Sequence, residues 1–435
     1  MELPATHNSA RTAQFLFAAL LASGWSSAGE PPSSETASGW RHDLEERGLT
    51  FSASYTAEFL GNVRGGRGTG GVYDGLLLLN ADLDAEKLAG WPGAKLHAAL
   101  CNPQGPSLST RFTGDLADVS NIDAYDSLRL YEAWIEQSAF RDRLNLRIGF
   151  LAADTEFGTL DMAGPFINSA FGAASALTGN FPMSTYPYST LGVRLRINPA
   201  SGWSVQFGAY DGNPAPGVFP DPSPRAAFSN ELNHWGSHFA LRSDEGAMLF
   251  AEISYRTPAP PENATGPAPL GACYKLGVVY HTDTFSAVSD RFTDQPTGRG
   301  VRGNEAVYAS IEQEIWREPG TRADGLGAFG RATRAPAGRN VYQSSYEFGL
   351  VYSGLWQSDA RDRLSLGFSR LEVGHQARQG RQASLDYEAI LECTYEYQAL
   401  SWCVVQPDLQ WIIQPGGSGQ TPDALVAGLR LTVSF

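Results

Sequence analysis

ALVAGLRLTVSF (Ala424–Phe435) closes the chain, and its reading decides the fold. Leu425, Ala427, Leu429, Leu431, Val433 and Phe435 share one parity; Val426, Gly428, Arg430, Thr432 and Ser434 share the other. An apolar residue at every second position marks a strand with one oily face. Working back along the chain, the same pattern recurs in Leu49–Val63, where Phe51, Ala53, Tyr55, Ala57 and Phe59 alternate with Thr50, Ser52, Ser54, Thr56 and Glu58. Arg143–Phe150, Leu191–Ile197 and Trp203–Tyr210 repeat it.

Sixteen such segments are expected: 49–63, 72–86, 94–102, 127–138, 143–152, 188–197, 203–211, 247–256, 272–282, 305–317, 324–332, 344–354, 363–372, 386–398, 402–413 and 424–435. Short links follow most even-numbered strands (Lys87–Gly93, Ala139–Asp142, Asn198–Gly202, Ala399–Ser401). Long links follow most odd-numbered ones (Pro103–Asp126, Ala153–Pro187, Gly212–Gly246, Asp283–Asn304). Sorting loops by length onto two sides is what a transmembrane barrel does, with short periplasmic turns and longer outer loops. A sandwich has no reason to do so, and no repeat of 40–50 residues suggests a propeller. The expected fold is an all-β, 16-stranded antiparallel transmembrane β-barrel.

Composition agrees. The 435 residues are 42% hydrophobic, 11% aromatic and 18% charged, with net charge −14, yet mean hydropathy is −0.24. Apolar and polar residues are therefore finely interleaved. Such a chain is too apolar and aromatic to be disordered. An acidic chain is also poorly suited to nucleic acid, which needs clustered cations. Four cysteines cannot staple a chain of this length. No apolar run reaches the ~18–20 residues of a membrane helix.

The N-terminus reads as an export signal: Arg11, the apolar run Phe15–Ala22, and small residues up to Ala28. A buried N-terminal helix is the alternative. The expected organisation is a signal peptide over 1–28, a periplasmic lead-in with a short helix over 29–48, and the barrel over 49–435.

In a bilayer every backbone polar group must be paired within the protein, and charge belongs on the lumen face. The inward parity carries Glu132, Trp134, Glu136, Arg147, Arg194, Arg196, Glu252, Glu312, Glu314, Glu388, Glu392, Asp408 and Arg430. Arginines facing carboxylates could bind neutral polyols, because a planar guanidinium holds two oxygens at once; mutual neutralisation along the wall is the other reading. Acids exceed bases, so a weak cation preference is expected. Only 3 of the 32 basic residues are lysine (Lys87, Lys95, Lys275), which suits such a lumen; codon bias explains it equally well. Trp203, Tyr255, Tyr274, Tyr280, Trp316, Trp411 and Phe435 lie near strand ends, as interfacial girdles or as packing.

The Ala153–Pro187 link is too long for an ordinary connection. Folded inward, it would narrow the lumen with Asp154, Phe157, Asp161, Phe166, Phe171, Phe181 and Tyr186. Sugar C–H faces could slide over the rings while hydroxyls exchange water for polar groups, through contacts weak enough to permit release. Packing of the rings against the wall is the alternative.

The paired carboxylates also raise a glycosidase reading. They recur along the whole wall, however, and HExxH, GxSxG, P-loop and CxxC patterns are absent. No enzyme activity, metal or cofactor is expected, and His281 and His375 read as loop or strand-end residues. With a turn centred at Gln398, Cys393 and Cys403 would sit opposite each other, within reach of a disulfide; two small side chains facing lipid is the other reading.

Several stretches resemble the carbohydrate-selective porin (OprB-type) family: RGLTFSASYTAEFLGN (Arg47–Asn62), LDAEKLAGWPG (Leu83–Gly93), RLYEAWIEQ (Arg129–Gln137), LRIGFLAAD (Leu146–Asp154), QPDLQWIIQPGG (Gln406–Gly417) and DALVAGLRLTVSF (Asp423–Phe435). AGPFINSAFG (Ala163–Gly172) resembles the constriction loop, and the likeness spans about residues 40–435. The resemblance implies an outer-membrane porin that facilitates monosaccharide diffusion, with sugars and ions as solutes. It also implies Phe435 as an assembly signal. Outer-membrane lipid and the barrel assembly machinery are the expected partners, with the chain a homotrimer or a monomer. A general diffusion porin, or a plugged structural barrel, are the competing readings.

Overall fold

The computed structural model describes residues 35–214, 235–237, 239, 241, 245–258, 269–288, 300–321, 323–358, 360–379 and 386–435. The expected export signal (1–28) and the first residues of the expected lead-in fall outside the described residues. Helix α1 (Glu35–Glu46) runs into β1 (Leu49–Arg64), followed by β2 (Gly70–Asp84), helix α2 (Ala85–Ala89), β3 (Ala94–Gln104), β4 (Arg129–Ala139), β5 (Leu144–Leu151), β6 (Thr190–Ala200), β7 (Trp203–Asp211) and β8 (Ala247–Arg256). The second half comprises β9 (Ala272–Ser286), β10 (Gly300–Arg317), β11 (Gly325–Arg334), β12 (Tyr342–Ser353), β13 (Asp362–Val373), β14 (Tyr387–Leu400), β15 (Cys403–Ile413) and β16 (Ala424–Ser434).

Each strand pairs antiparallel with its sequence neighbours, and β1 pairs with β16 to close the barrel. Closure removes both sheet edges, so no wall strand is left with a row of unpaired backbone groups. The final strand lies Tyr55 to Val433 and Glu58 to Arg430. Beyond its end, the Phe435 N–H donates to the Ala53 carbonyl at 2.8 Å.

Burial follows the alternation. On β9, Tyr274, Leu276, Val278 and Tyr280 face outward and exposed, while Cys273, Lys275, Val279 and His281 are buried. Trp203, Trp316, Trp411 and Phe435 are exposed on the outer surface, and Trp203 packs on Tyr255 with ring centroids 5.1 Å apart. The turns after β4, β6 and β14 are tight, spanning 140–143, 201–202 and 401–402. Phe140, Arg141 and Asp142 all take positive φ to reverse the chain in the first of these.

One register differs from expectation. The last hairpin pairs Leu400 with Cys403 and Cys393 with Leu409, so its turn is centred beyond Gln398 and the two cysteines are not opposite. Both are free thiols. Their separation along the strands exceeds the Cα reach of a disulfide.

The apolar core lies inside the barrel, where two long loops fold inward. Leu108, Val119, Phe166 and Phe171 from the loops pack on Leu60, Phe329, Ile390 and Val426 from the wall. A second cluster joins Phe157, Phe181 and Met183 to Tyr210, Phe250 and Tyr308.

Candidate functional site

The loop between β5 and β6 (152–189) crosses the interior with only short helical turns, so much of its backbone lacks regular partners. Buried N–H and C=O groups are costly unless paired, and inward side chains of the wall pair them. Glu132 of β4 accepts from Ala152 N–H at 2.9 Å. Glu252 of β8 accepts from Gly158 N–H at 2.8 Å, Glu312 of β10 from Met162 N–H at 2.6 Å, and Glu392 of β14 from Ile167 N–H at 2.6 Å. Lys275 donates to the Thr159 carbonyl at 2.6 Å, and Arg331 to those of Gly158 and Gly172 at 3.0 and 2.8 Å. Glu388 does the same for the β3–β4 loop, accepting from Leu116 and Ala117, and it also accepts from Gly416 of the β15–β16 loop. The alternating pattern places these carboxylates on the inward face, with solute contact and neutralisation along the wall as the two readings. They are instead turned onto loop backbone. Charge-assisted bonds of this kind are about twice as strong as neutral ones.

The loop aromatics take the packing alternative. Phe157, Phe166, Phe171 and Phe181 are each at most 4% exposed and do not offer open faces to the lumen. Phe166 stacks on Phe171 at 4.3 Å, Phe157 on Phe250 at 4.8 Å, and Phe181 meets Phe285 edge-on at 6.2 Å. Glycines in the wall make the room. A Cβ at Gly367 would lie 2.5 Å from the Phe166 ring, and one at Gly277 would overlap Tyr308. Burying these rings fixes the loop, because each removes a large apolar area from water. Tyr186 is half-buried and donates to the Ile122 carbonyl at 2.9 Å.

The basic residues gather on β5 and β6. Glu136, Arg147 and Arg194 stand in one row across β4, β5 and β6. Glu136 pairs with Arg147 at 2.7 Å and Arg194 at 2.8 Å. Glu156 descends from the loop and accepts from all three guanidinium groups: Arg147, Arg194 at 3.0 Å and Arg196 at 2.8 Å. Trp134 lies between two neighbours, the His97 ring from β3 at 4.9 Å and the Arg147 guanidinium from β5 at 3.7 Å. Since β3 and β5 flank β4 on opposite sides, its ring faces are taken, and it supports Arg147 rather than presenting a free platform.

The remaining named residues scatter. Asp161 pairs with Arg256 at 2.6 Å, both side chains 58% exposed, the most open ion pair of the inward loop. Glu314 binds Arg317 and the Gly271 N–H. Arg430 binds Glu58 and, at 2.6 Å, Asn121 of the β3–β4 loop. Asp408 accepts from Gln410 at 2.8 Å. Asp154 accepts from the Thr185 hydroxyl at 2.6 Å; burial raises its pKa despite that bond.

Sequence reasoning missed Glu156, Arg256 and Arg331. Glu156 lies on a loop, where alternation is silent. A signal did exist: residues 152–189 hold three acids and no base, between two arginine-bearing strands.

Comparison with known proteins places this geometry. Residues 69–435 match the family described as carbohydrate-selective porin, OprB family. Porin B of Pseudomonas aeruginosa is 26% identical over 433 residues, covering 91% of this chain and 90% of that protein. A putative porin, QuiX, of Acinetobacter baylyi is 21% identical over 432 residues, covering 91% of each. The structure of Pseudomonas putida OprB at high pH superposes with a TM-score of 0.79 at 25% identity, covering 92% of this chain and 97% of that one. The low-pH structure gives 0.56 at 19% identity and shares the fold.

Proposed function

The chain belongs to the carbohydrate-selective porin, OprB family, and from that premise we propose that it passes monosaccharides of glucose-like size, together with small ions. It is an outer-membrane channel and not an enzyme. The observation that carries the finer reading is the inward loop gripped by wall carboxylates beside the Glu136–Arg147–Arg194–Arg196–Glu156 cluster. A rigidly narrowed lumen selects by size. Guanidinium forks beside carboxylates supply donors and acceptors for hydroxyls in weak, multiple contacts. Of the expected pore residues, Arg147, Arg196, Asp161 and Glu314 are proposed to meet solute. Glu132, Glu252, Glu312, Glu392, Asp408 and the loop phenylalanines are proposed to shape the passage from behind. Ion passage accompanies sugar passage with a weak cation preference. We also read residues 1–28 as a cleaved export signal and 29–48 as a periplasmic lead-in.

Liposome swelling with glucose, a disaccharide and an amino acid of glucose size tests this. Glucose is expected to enter faster than the size-matched amino acid. Rates set by size alone would instead make the channel a general diffusion porin.

A further inference from the structure

Arg147 and Arg194 sit directly opposite each other on β5 and β6, and Arg196 is two residues further along β6. Like charges opposite one another in a sheet repel, and guanidinium groups cannot shed their charge. Among the described residues, Glu136 is the wall carboxylate in ion-pair contact with this group, bound to Arg147 and Arg194, while Glu132 of β4 is turned onto the Ala152 N–H. In direct contact, the wall alone therefore sets three positive charges against one negative. The second carboxylate comes from the inward loop. Glu156 contacts all three arginines and is the acid that Arg196 binds.

We infer that Glu156 is the specificity-determining residue of the passage. It turns a guanidinium cluster that would capture anions into a nearly balanced surface open to neutral polyols. The inference rests on the sugar-passing reading above.

Three observations carry it. First, exposure falls in order through the cluster: the Arg196 side chain is 37% exposed, Arg147 18%, Glu156 5% and Arg194 0%. Arg196 faces the lumen and Glu156 stands behind it, so the charge a solute meets depends on the acid it does not touch. Second, Arg196 has spare capacity. It donates from Nε to Gln206 at 3.1 Å and from Nη2 to Glu156, and its Nη1 has no partner among the described residues. Third, the backbone at Glu156 has anchors besides its own charge. Its carbonyl accepts from Gln206 at 2.6 Å, and the next residue, Phe157, is wedged between Phe250 and Tyr210. Removing the charge should leave the loop in place.

With Glu156 neutral, the cluster would carry one more uncompensated positive charge in a narrow, low-dielectric passage, where such charge concentrates counter-ions. Chloride and polyhydroxy carboxylates would then gain on neutral sugars.

The test uses the full-length porin in planar bilayers under a potassium chloride gradient, with gluconate and glucose as blocking probes. Glu156→Gln is expected to raise the chloride-to-potassium permeability ratio at least about two-fold and to strengthen gluconate block relative to glucose block. Adding Arg196→Gln is expected to bring both readouts back toward wild type, which a merely structural role for Glu156 would not do. Arg196→Gln alone should shift the ratio toward potassium, and it serves as the test should Glu156→Gln fail to assemble. An assembled Glu156→Gln channel with unchanged ion selectivity would overturn the inference, as would a double variant that stays anion-shifted. A wild-type channel without glucose preference would remove the sugar-passing reading while leaving the ion ratio as an independent test of Glu156.

Discussion

The carboxylate of Glu392, on β14, accepts the backbone N–H of Ile167, on the inward loop, at 2.6 Å, and that of Asn168 at 3.1 Å. The bonds join residues 225 and 224 positions apart in sequence. Glu132, Glu252 and Glu312 make the equivalent link from three other strands. The inward loop is thus tied to the wall by these acids, together with Lys275, Arg331 and its packed rings, and its own secondary structure contributes little.

Glu392→Ala would leave two buried N–H groups unpaired, at roughly 1–3 kcal/mol each. The loop near Ile167 should loosen, with larger single-channel conductance and more current noise than wild type. Glu392→Gln, which keeps one acceptor oxygen, should fall between them. An alanine variant with wild-type conductance and noise would show that this anchor does not set the passage.

Loop packing should also depend on pH. Burial pushes Asp115 and Asp123 of the β3–β4 loop up to about 6, and Asp118 well above the usual range. Hydroxyls of Ser109 and Thr113 on Asp115, and of Ser107 on Asp123, only partly offset this. Besides one another, the charged groups around them are Glu58, Asp74, Glu388 and Arg67. A carboxyl raised in the folded state favours its protonated form. Its contribution is complete below about 4 and is lost as pH rises through about 6. This loop is bonded to the inward loop through Asn121 N–H to the Ile167 carbonyl at 2.8 Å and Ser169 N–H to the Asp118 carbonyl at 2.9 Å. Current noise should therefore be lower at pH 4 than at pH 7, and the Asp115→Asn, Asp123→Asn double variant should lose most of that difference. Full retention of it would exclude these two groups as the cause.

Phe435 is half exposed on the outer surface, and its backbone donates to Ala53 at the seam between first and last strands. Deleting it, or substituting a charged residue, should lower the amount of assembled barrel in outer-membrane fractions more than it alters the permeability of what assembles. Normal levels of such a variant would count against an assembly role.

Much of the architecture was legible because a lipid-facing wall has a rigid grammar. Each strand must alternate, so Phe51 through Phe59 and Leu425 through Phe435 announce both the strand and the face that meets lipid. Cross-strand position was harder to read: a shift of the last turn past Gln398 was enough to separate Cys393 from Cys403.

The sequence by itself determined a closed sixteen-stranded wall, its inward polar parity and the inward loop, because period-2 patterning and loop length are local properties. The tertiary structure alone decided what each inward group does. Glu252 and Glu392 hold backbone, Trp134 lies between His97 and Arg147, and Glu156 balances arginines from two strands. Parity says that a carboxylate points inward. Whether it meets solute or a buried N–H depends on where a 38-residue loop crosses the lumen, and that path is set by rings and hydrogen bonds between residues far apart in the chain.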